Sequence, residues 1–215
     1  MSISASDIAK LRSTTGAGMM DCKNALEEAN GDQEKAMEIL RKKGILKAAK
    51  RADKVAAEGV VASYIHGEGK IGVLVELNCE TDFVARTDMF KELVREISLH
   101  IAAARPKYLD RESVPSELLE KEKEIYTDQL KQQGKPANII ENILKGKVDK
   151  FYEEICLLEQ PFIKDDSKKI QQILAEKTAE TGEKITIRRF VRFELGEGIE
   201  KAAKNFADEV AEQMK

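Results

Sequence analysis

The sequence predicts an α+β fold, and three observations carry the prediction. Apolar residues recur at helical spacing through most of residues 1–55, and directly after Gly59 the period drops from about 3.6 to about 2. A second run of alternating, β-branched and aromatic residues, Ile185 to Leu195, returns far along the chain and reads as a strand that completes the sheet begun at Val60. The chain has 215 residues, 42% of them hydrophobic and 35% charged, which is enough apolar material for a packed core.

Taken in order, Ser6 is placed to cap a short helix carrying Ile8 and Leu11, and the two glycines of Thr15-Gly16-Ala17-Gly18 break it. A second helix holds Met19, Met20, Lys23, Ala25, Leu26 and Ala29 and stops at Asn30-Gly31. Asp32 caps a third, with Ala36, Met37, Ile39 and Leu40, ending at Gly44, and Ile45 to Val55 reads as a fourth, basic linker helix. Val60–Ile65 and Ile71–Asn78 flank a Gly-containing turn and form an antiparallel hairpin. After Thr87, a cap, Phe90, Leu93, Val94, Ile97 and Ile101 make one apolar stripe that ends before Pro106 and covers one face of the sheet.

Residues 116–161 form a different unit. A Glu/Lys-rich helix ends at Gly134, Pro136 restarts the chain, and Ile139, Ile140, Ile143, Leu144, Val148, Phe151, Tyr152 and Ile155 give a second helix its apolar stripe, so the pair reads as a helical hairpin. Asp166 or Ser167 then starts a helix through Ile170, Ile173 and Leu174 that stops at Thr181-Gly182. Gly196-Glu197-Gly198 ends the last strand, and Ile199 to Met214 reads as a terminal helix. The expected organisation is 1–55, a core of 56–115 with 162–198, the hairpin 116–161, and a terminal module 199–215.

Composition narrows the function. A net charge of −3 gives no field of the kind that drives binding to a phosphate backbone, and the one basic cluster, Lys42, Lys43, Lys47, Lys50, Arg51 and Lys54, has no aromatic residues beside it for base stacking. No segment reaches the roughly 20 apolar residues of a membrane span, which places the chain in the cytosol. Cys22, Cys79 and Cys156 match neither a disulfide framework nor a zinc spacing, so reduced thiols and no metal or cofactor are expected. Two distant histidines, His66 and His100, offer little to acid–base chemistry, no phosphate-cradling glycine loop is present, and the chain reads as a binding protein and not an enzyme.

One segment resists a purely architectural account. Cys79-Glu80-Thr81-Asp82-Phe83-Val84-Ala85-Arg86 lies between a strand and a helix and sets a bulky aromatic beside an acid. Two readings of Phe83 stand side by side: a core residue tucked beneath the following helix, or an exposed wedge for a partner's pocket, where burying a Phe is worth roughly 1.5–3 kcal/mol.

The run from Thr15 to Asp32 (TGAGMMDCKNALEEANGD), together with Asn78 to Ala85 (NCETDFVA), closely resembles the elongation factor Ts family of bacterial translation factors. His100-Ile101-Ala102-Ala103, Gly134-Lys135-Pro136, Gln160-Pro161-Phe162 and Arg192 to Ile199 extend the resemblance over nearly the whole chain. It implies an exchange factor for elongation factor Tu, binding its GDP-bound and nucleotide-free forms and releasing GDP by disturbing the magnesium and phosphate site. In the family Thr81, Asp82, Phe83 and Val84 are inserted beside that site, with Phe83 the wedge. Met19, Met20, Lys23 and His100 fall on partner-binding positions, residues 1–55 resemble a ubiquitin-associated-like three-helix domain, and the terminal helix lies against the GTPase.

Only one set of core strands is found, as in short family members, which implies a homodimer. A rival reading makes the chain a helical adaptor, or a ribosome-associated binding protein, acting through residues 1–55.

Overall fold

The computed structural model describes residues 3–15 and 17–199. Helices α1 (Ala5–Thr15), α2 (Met19–Glu28) and α3 (Gln33–Lys50) enclose a small core of Leu11, Cys22, Ala25, Leu26, Ala36 and Leu40. Ser4, not Ser6, caps α1: its hydroxyl accepts from the Asp7 amide at 3.1 Å while the Asp7 carboxylate accepts from the Ser4 amide at 3.2 Å. Asp32 caps α3 as its position suggested, accepting from the Glu34 and Lys35 amides.

The break expected at Gly44 does not occur. Helix α3 runs through it to Lys50, and a turn at 51–54 replaces the fourth helix. The reason is tertiary. A Cβ at position 44 would lie 3.4 Å from the Ala179 Cβ, so α3 crosses α8 (Ile170–Thr181) at two small residues. Close packing there offsets the roughly 1 kcal/mol that a mid-helix glycine costs.

Strands β1 (Glu58–His66), β2 (Ile71–Cys79) and β5 (Thr186–Glu194) form an antiparallel sheet in the order β1-β2-β5, so the fold is α+β with the last strand completing the sheet. At Gly59 a Cβ would sit 2.1 Å from the Leu77 carbonyl oxygen, and only glycine permits that approach. The inner face carries Val73, Val75, Leu77 and Ile187 against Phe90, Leu93, Val94, Ile97 and Ile101 of α5 (Asp88–Ala104) and against Ile170, Ile173 and Leu174 of α8.

Helices α6 (Ser116–Gln132) and α7 (Ala137–Ile155) pair as the expected hairpin, with Phe151, Tyr152, Ile155 and Cys156 buried at its base. Neither Asp166 nor Ser167 starts a helix. Residues Asp165–Lys169 are a short strand, β4, paired with β3 (Pro161–Phe162), because the Asp165 carboxylate accepts from the Ser167 amide and hydroxyl and holds a turn; α8 begins only at Ile170, whose amide donates to the Gln160 carbonyl. The terminal helix expected over Ile199 to Met214 lies, but for Ile199, outside the described residues.

A candidate partner-binding site on a clamped turn

The segment singled out in the sequence folds as Thr81 followed by a single helical turn, α4 (Asp82–Ala85). Its support comes from below and from the side. Val84 and Ala85 are buried in the core, and the Thr81 hydroxyl caps the turn by accepting from the Val84 amide at 3.4 Å. Thr87 grips the other end, donating to the Val84 carbonyl at 2.7 Å and accepting from the Phe90 amide at 3.2 Å, so one threonine closes α4 and opens α5.

Two acids fasten the turn to the rest of the chain. Glu183 accepts from the Thr81 amide at 3.0 Å and from its hydroxyl at 2.7 Å. Glu80 accepts from the Lys184 amide at 2.6 Å and from Arg51 at 2.9 Å. Beneath them the buried Cys79 thiol donates to the Thr81 carbonyl at 3.1 Å, and burial pushes that thiol above its usual range, which keeps it protonated and inert.

The consequence is a rigid backbone from which Phe83 stands out: 79% of its surface is open to solvent. It does not tuck beneath α5, so of the two readings of Phe83 the core one is excluded. Asp82, beside it, is exposed and pairs with Arg86 one turn on at 2.9 Å. A phenyl ring this exposed on a braced turn has the form of an interaction anchor, since the backbone entropy of presenting it is already lost before any partner arrives.

The other predicted residues divide. Met19 and Met20 stand at the first turn of α2 with 48% and 66% of their surfaces exposed, and Lys23 is exposed and loosely paired with Glu27 at 3.8 Å. They ride on a helix packed against α1 and α3, whereas α4 packs against β1, β2 and α5, so the two groups share no main packing neighbour. His100 departs from the expectation of a surface contact: its ring is wholly buried on α5. Its Nδ1 accepts from the Ile163 amide at 3.3 Å and its Nε2 lies 3.1 Å from the Gln160 Oε1, an arrangement met by the neutral ring with its proton on Nε2. The physical reason is that α5 turns this position toward the segment 157–163 and not toward solvent.

Among the described residues, no group of three or more His, Cys, Asp or Glu side chains is placed to hold a metal ion, and no helix is long and apolar enough to cross a membrane. Sequence reasoning named Glu80 and Arg51 without their bracing role and missed Glu183 altogether. No local spacing could have marked them, because Glu183 meets Thr81 across 102 positions of chain.

Comparison with known proteins decides the family. The family model described as elongation factor TS matches residues 6–197. This chain belongs to the elongation factor Ts family. It is 60% identical over 208 residues to the elongation factor Ts of Carboxydothermus hydrogenoformans, covering 97% of this chain and 96% of that one. It is 58% identical over 212 residues to that of Acetivibrio thermocellus, covering 99% of each. With that of Geobacter sulfurreducens it shares 58% identity over 211 residues, covering 98% of each. Membership makes the chain a translation elongation factor, and the clamped turn with its projecting ring is the feature of this family member that next needs a chemical role.

Proposed function

We propose that this chain is a guanine-nucleotide exchange factor for elongation factor Tu, acting in the cytoplasm, and that Phe83 is its wedge. The observation that carries the reading is the exposure of Phe83 on a turn braced by Thr81, Thr87 and Glu183. Burial of such a ring in a partner supplies roughly 1.5–3 kcal/mol. That energy accelerates GDP release only if it is realised in the nucleotide-poor state and not in the GDP state, because a ligand with equal affinity for both shifts nothing. Magnesium bridges the phosphates to the GTPase, so displacing the elements around that ion weakens GDP without any contact between this chain and the nucleotide.

In this reading Thr81 and Val84 hold the turn, Asp82 is the polar neighbour, and Met19, Met20 and Lys23 form a second contact on a helical unit, residues 1–55, distinct from the core of 56–115 with 162–198, the hairpin 116–161 and the terminal module 199–215. His100 contributes from inside by fixing Gln160 and Ile163.

We infer a homodimer as well. What supports it is the outer face of the sheet, where the register aligns Ser63, Leu74 and Val191 in one row and Ile65, Gly72 and Phe193 in the next, with Val61 beyond. Val61, Ile65, Leu74, Val191 and Phe193 are all exposed, and a second copy laid on this face would remove them from water.

The experiment is stopped-flow release of fluorescent GDP from elongation factor Tu. Release accelerates with this chain, and Phe83→Ala loses most of the acceleration while its circular dichroism and melting curve stay unchanged. An adaptor acting through residues 1–55 leaves GDP release untouched by either protein, and that result overturns the proposal.

A further inference from the structure

The two edges of the sheet are built differently. Strand β5 is defended: a bulge opposite Glu76 and Leu77 interrupts its register, and Arg188, Arg189, Arg192 and Glu194 stud it with charge. Strand β1 has none of these devices. Its register with β2 is unbroken from Glu58 to His66, and the interior of the strand, Gly59 to Ile65, holds neither a charge nor a proline. An undefended edge of this length carries a row of backbone donors and acceptors free to pair with another strand.

Beside that edge runs a groove of about 220 Å³, lined by Val60, Ala62 and Tyr64 of β1 and, on α5, by Lys91, Val94, Arg95 and Ser98. The α5 residues recur at i, i+3, i+4 and i+7, so they form a single stripe facing the edge. Its floor is largely apolar, with Val94 buried beside Ser98, whose hydroxyl is engaged in donating to the Val94 carbonyl at 2.7 Å, and its lip is cationic. No carboxylate lines it; Glu92, the residue after Lys91, reaches Arg95 at 3.9 Å and Lys164 at 4.0 Å, and Lys91 has no ion-pair partner among the described residues.

We propose that the β1 edge and this groove take up an extended acidic peptide segment of a partner protein as a fourth strand, its main chain pairing with β1 and one alternate set of its side chains turned toward α5, an apolar one entering the groove and the carboxylates two residues to either side of it meeting Lys91 and Arg95. Charge selects this occupant. A second copy pairing β1 with β1 about a two-fold axis sets both α5 helices on the same face and brings Lys91 and Arg95 of each toward those of the other, a like-charge encounter. An acidic strand meets the same lip with attraction, and main-chain pairing to an edge beside a helix is a mode in which backbone bonds give affinity and pockets give specificity. No residue of α4 lines this groove, and the proposal does not depend on the exchange reading.

The test uses the full chain and the acetylated, amidated heptapeptide Thr-Glu-Thr-Val-Thr-Glu-Thr, whose Val and two Glu share one strand face, followed by isothermal titration and by amide chemical shifts. Shifts are expected along Val60 to Ile65 and along the Lys91 to Ser98 stripe. Double charge reversal, Lys91→Glu with Arg95→Glu at exposed positions, weakens binding about tenfold, as does replacing both glutamates of the peptide by lysine; raising NaCl from about 50 to about 500 mM weakens it several-fold. N-methylating one alternate set of peptide amides abolishes binding and methylating the other does not, which is the signature of strand addition. Equal affinity for the acidic and basic peptides, or shifts confined to other surfaces, overturns the proposal. So does slowed exchange at the outward-facing amides of β1 that grows with protein concentration in the Phe193→Glu variant without peptide, which assigns the edge to a second copy.

Discussion

Thr81 and Glu183 are joined by two hydrogen bonds, the amide at 3.0 Å and the hydroxyl at 2.7 Å, one to each carboxylate oxygen. This pairing converts a strand-to-helix loop into a fixed platform, and the same acid sits directly before Lys184, whose amide binds Glu80. The turn that presents Phe83 is thus held by residues from just before β5, the far side of the sheet.

Removing that brace tests whether presentation matters. Glu183→Ala costs about 1 kcal/mol of stability, because the bonds are charge-assisted yet the Thr81 side is exposed to solvent. The exchange rate falls further than stability does, by several-fold, since the ring then spends its binding energy on ordering its own turn. Urea unfolding and stopped-flow GDP release on the same variant check both; an unchanged release rate shows that the brace is only structural.

Phe193 stands at the end of the apolar outer row with Ile65 across Gly72. Phe193→Glu sets a carboxylate within the inferred contact, where leaving it unpaired and dehydrated costs several kcal/mol. Sedimentation equilibrium then reports a monomer for the variant and a dimer for the parent, with the same melting behaviour at low concentration.

The base of the helical hairpin is fastened by Arg111. Its guanidinium forks onto Glu159 through Nε and Nη2, reaches Asp149 at 3.0 Å, and lies 4.5 Å from the Tyr152 ring centre; the Glu159 carboxylate holds it in the charged form above its ordinary range. Glu159 is buried, so Arg111→Ala leaves it with only Lys169, 4.0 Å away. The loss is about 1–2 kcal/mol, below the value for a fully buried pair because the guanidinium is partly solvated. Hydrogen exchange along α7 should rise before exchange in the sheet does.

His100 makes stability fall in acid. Burial lowers its pKa from the usual 6.5, and the Ile163 amide aimed at Nδ1 leaves no place for a second proton. Above pH 6.5 neither state gains a proton there and the full stability is present. As pH falls below 6.5 the unfolded chain takes up the proton first, so stability declines until the folded-state pKa is reached. Urea midpoints between pH 7 and pH 5 measure the slope, and an NMR titration of the ring must place its pKa below 6.5; a value above it reverses the sign.

Much of this could be read in the chain alone, and the exceptions share a cause. The stripe from Phe90 to Ile101 predicted α5 because one helix face must be apolar along its length, and the alternation after Gly59 predicted the hairpin because one sheet face must be. Gly44 misled because its helix is completed by α8, more than a hundred residues away. Asp166 and Ser167 misled because an acid beside a serine suits a helix start and a turn equally, and only the pairing of β4 with β3 selects the strand.

What the sequence by itself determined is therefore the local periodicity, the family, and the identity of Phe83 as the residue to watch, since each rests on neighbours in the chain. The tertiary structure alone decided that Phe83 faces solvent, that His100 does not, and that the turn is gripped by Glu80 and Glu183. Burial and hydrogen bonding between distant segments follow from which faces meet, and that is fixed by packing the whole chain at once rather than by any short stretch of it.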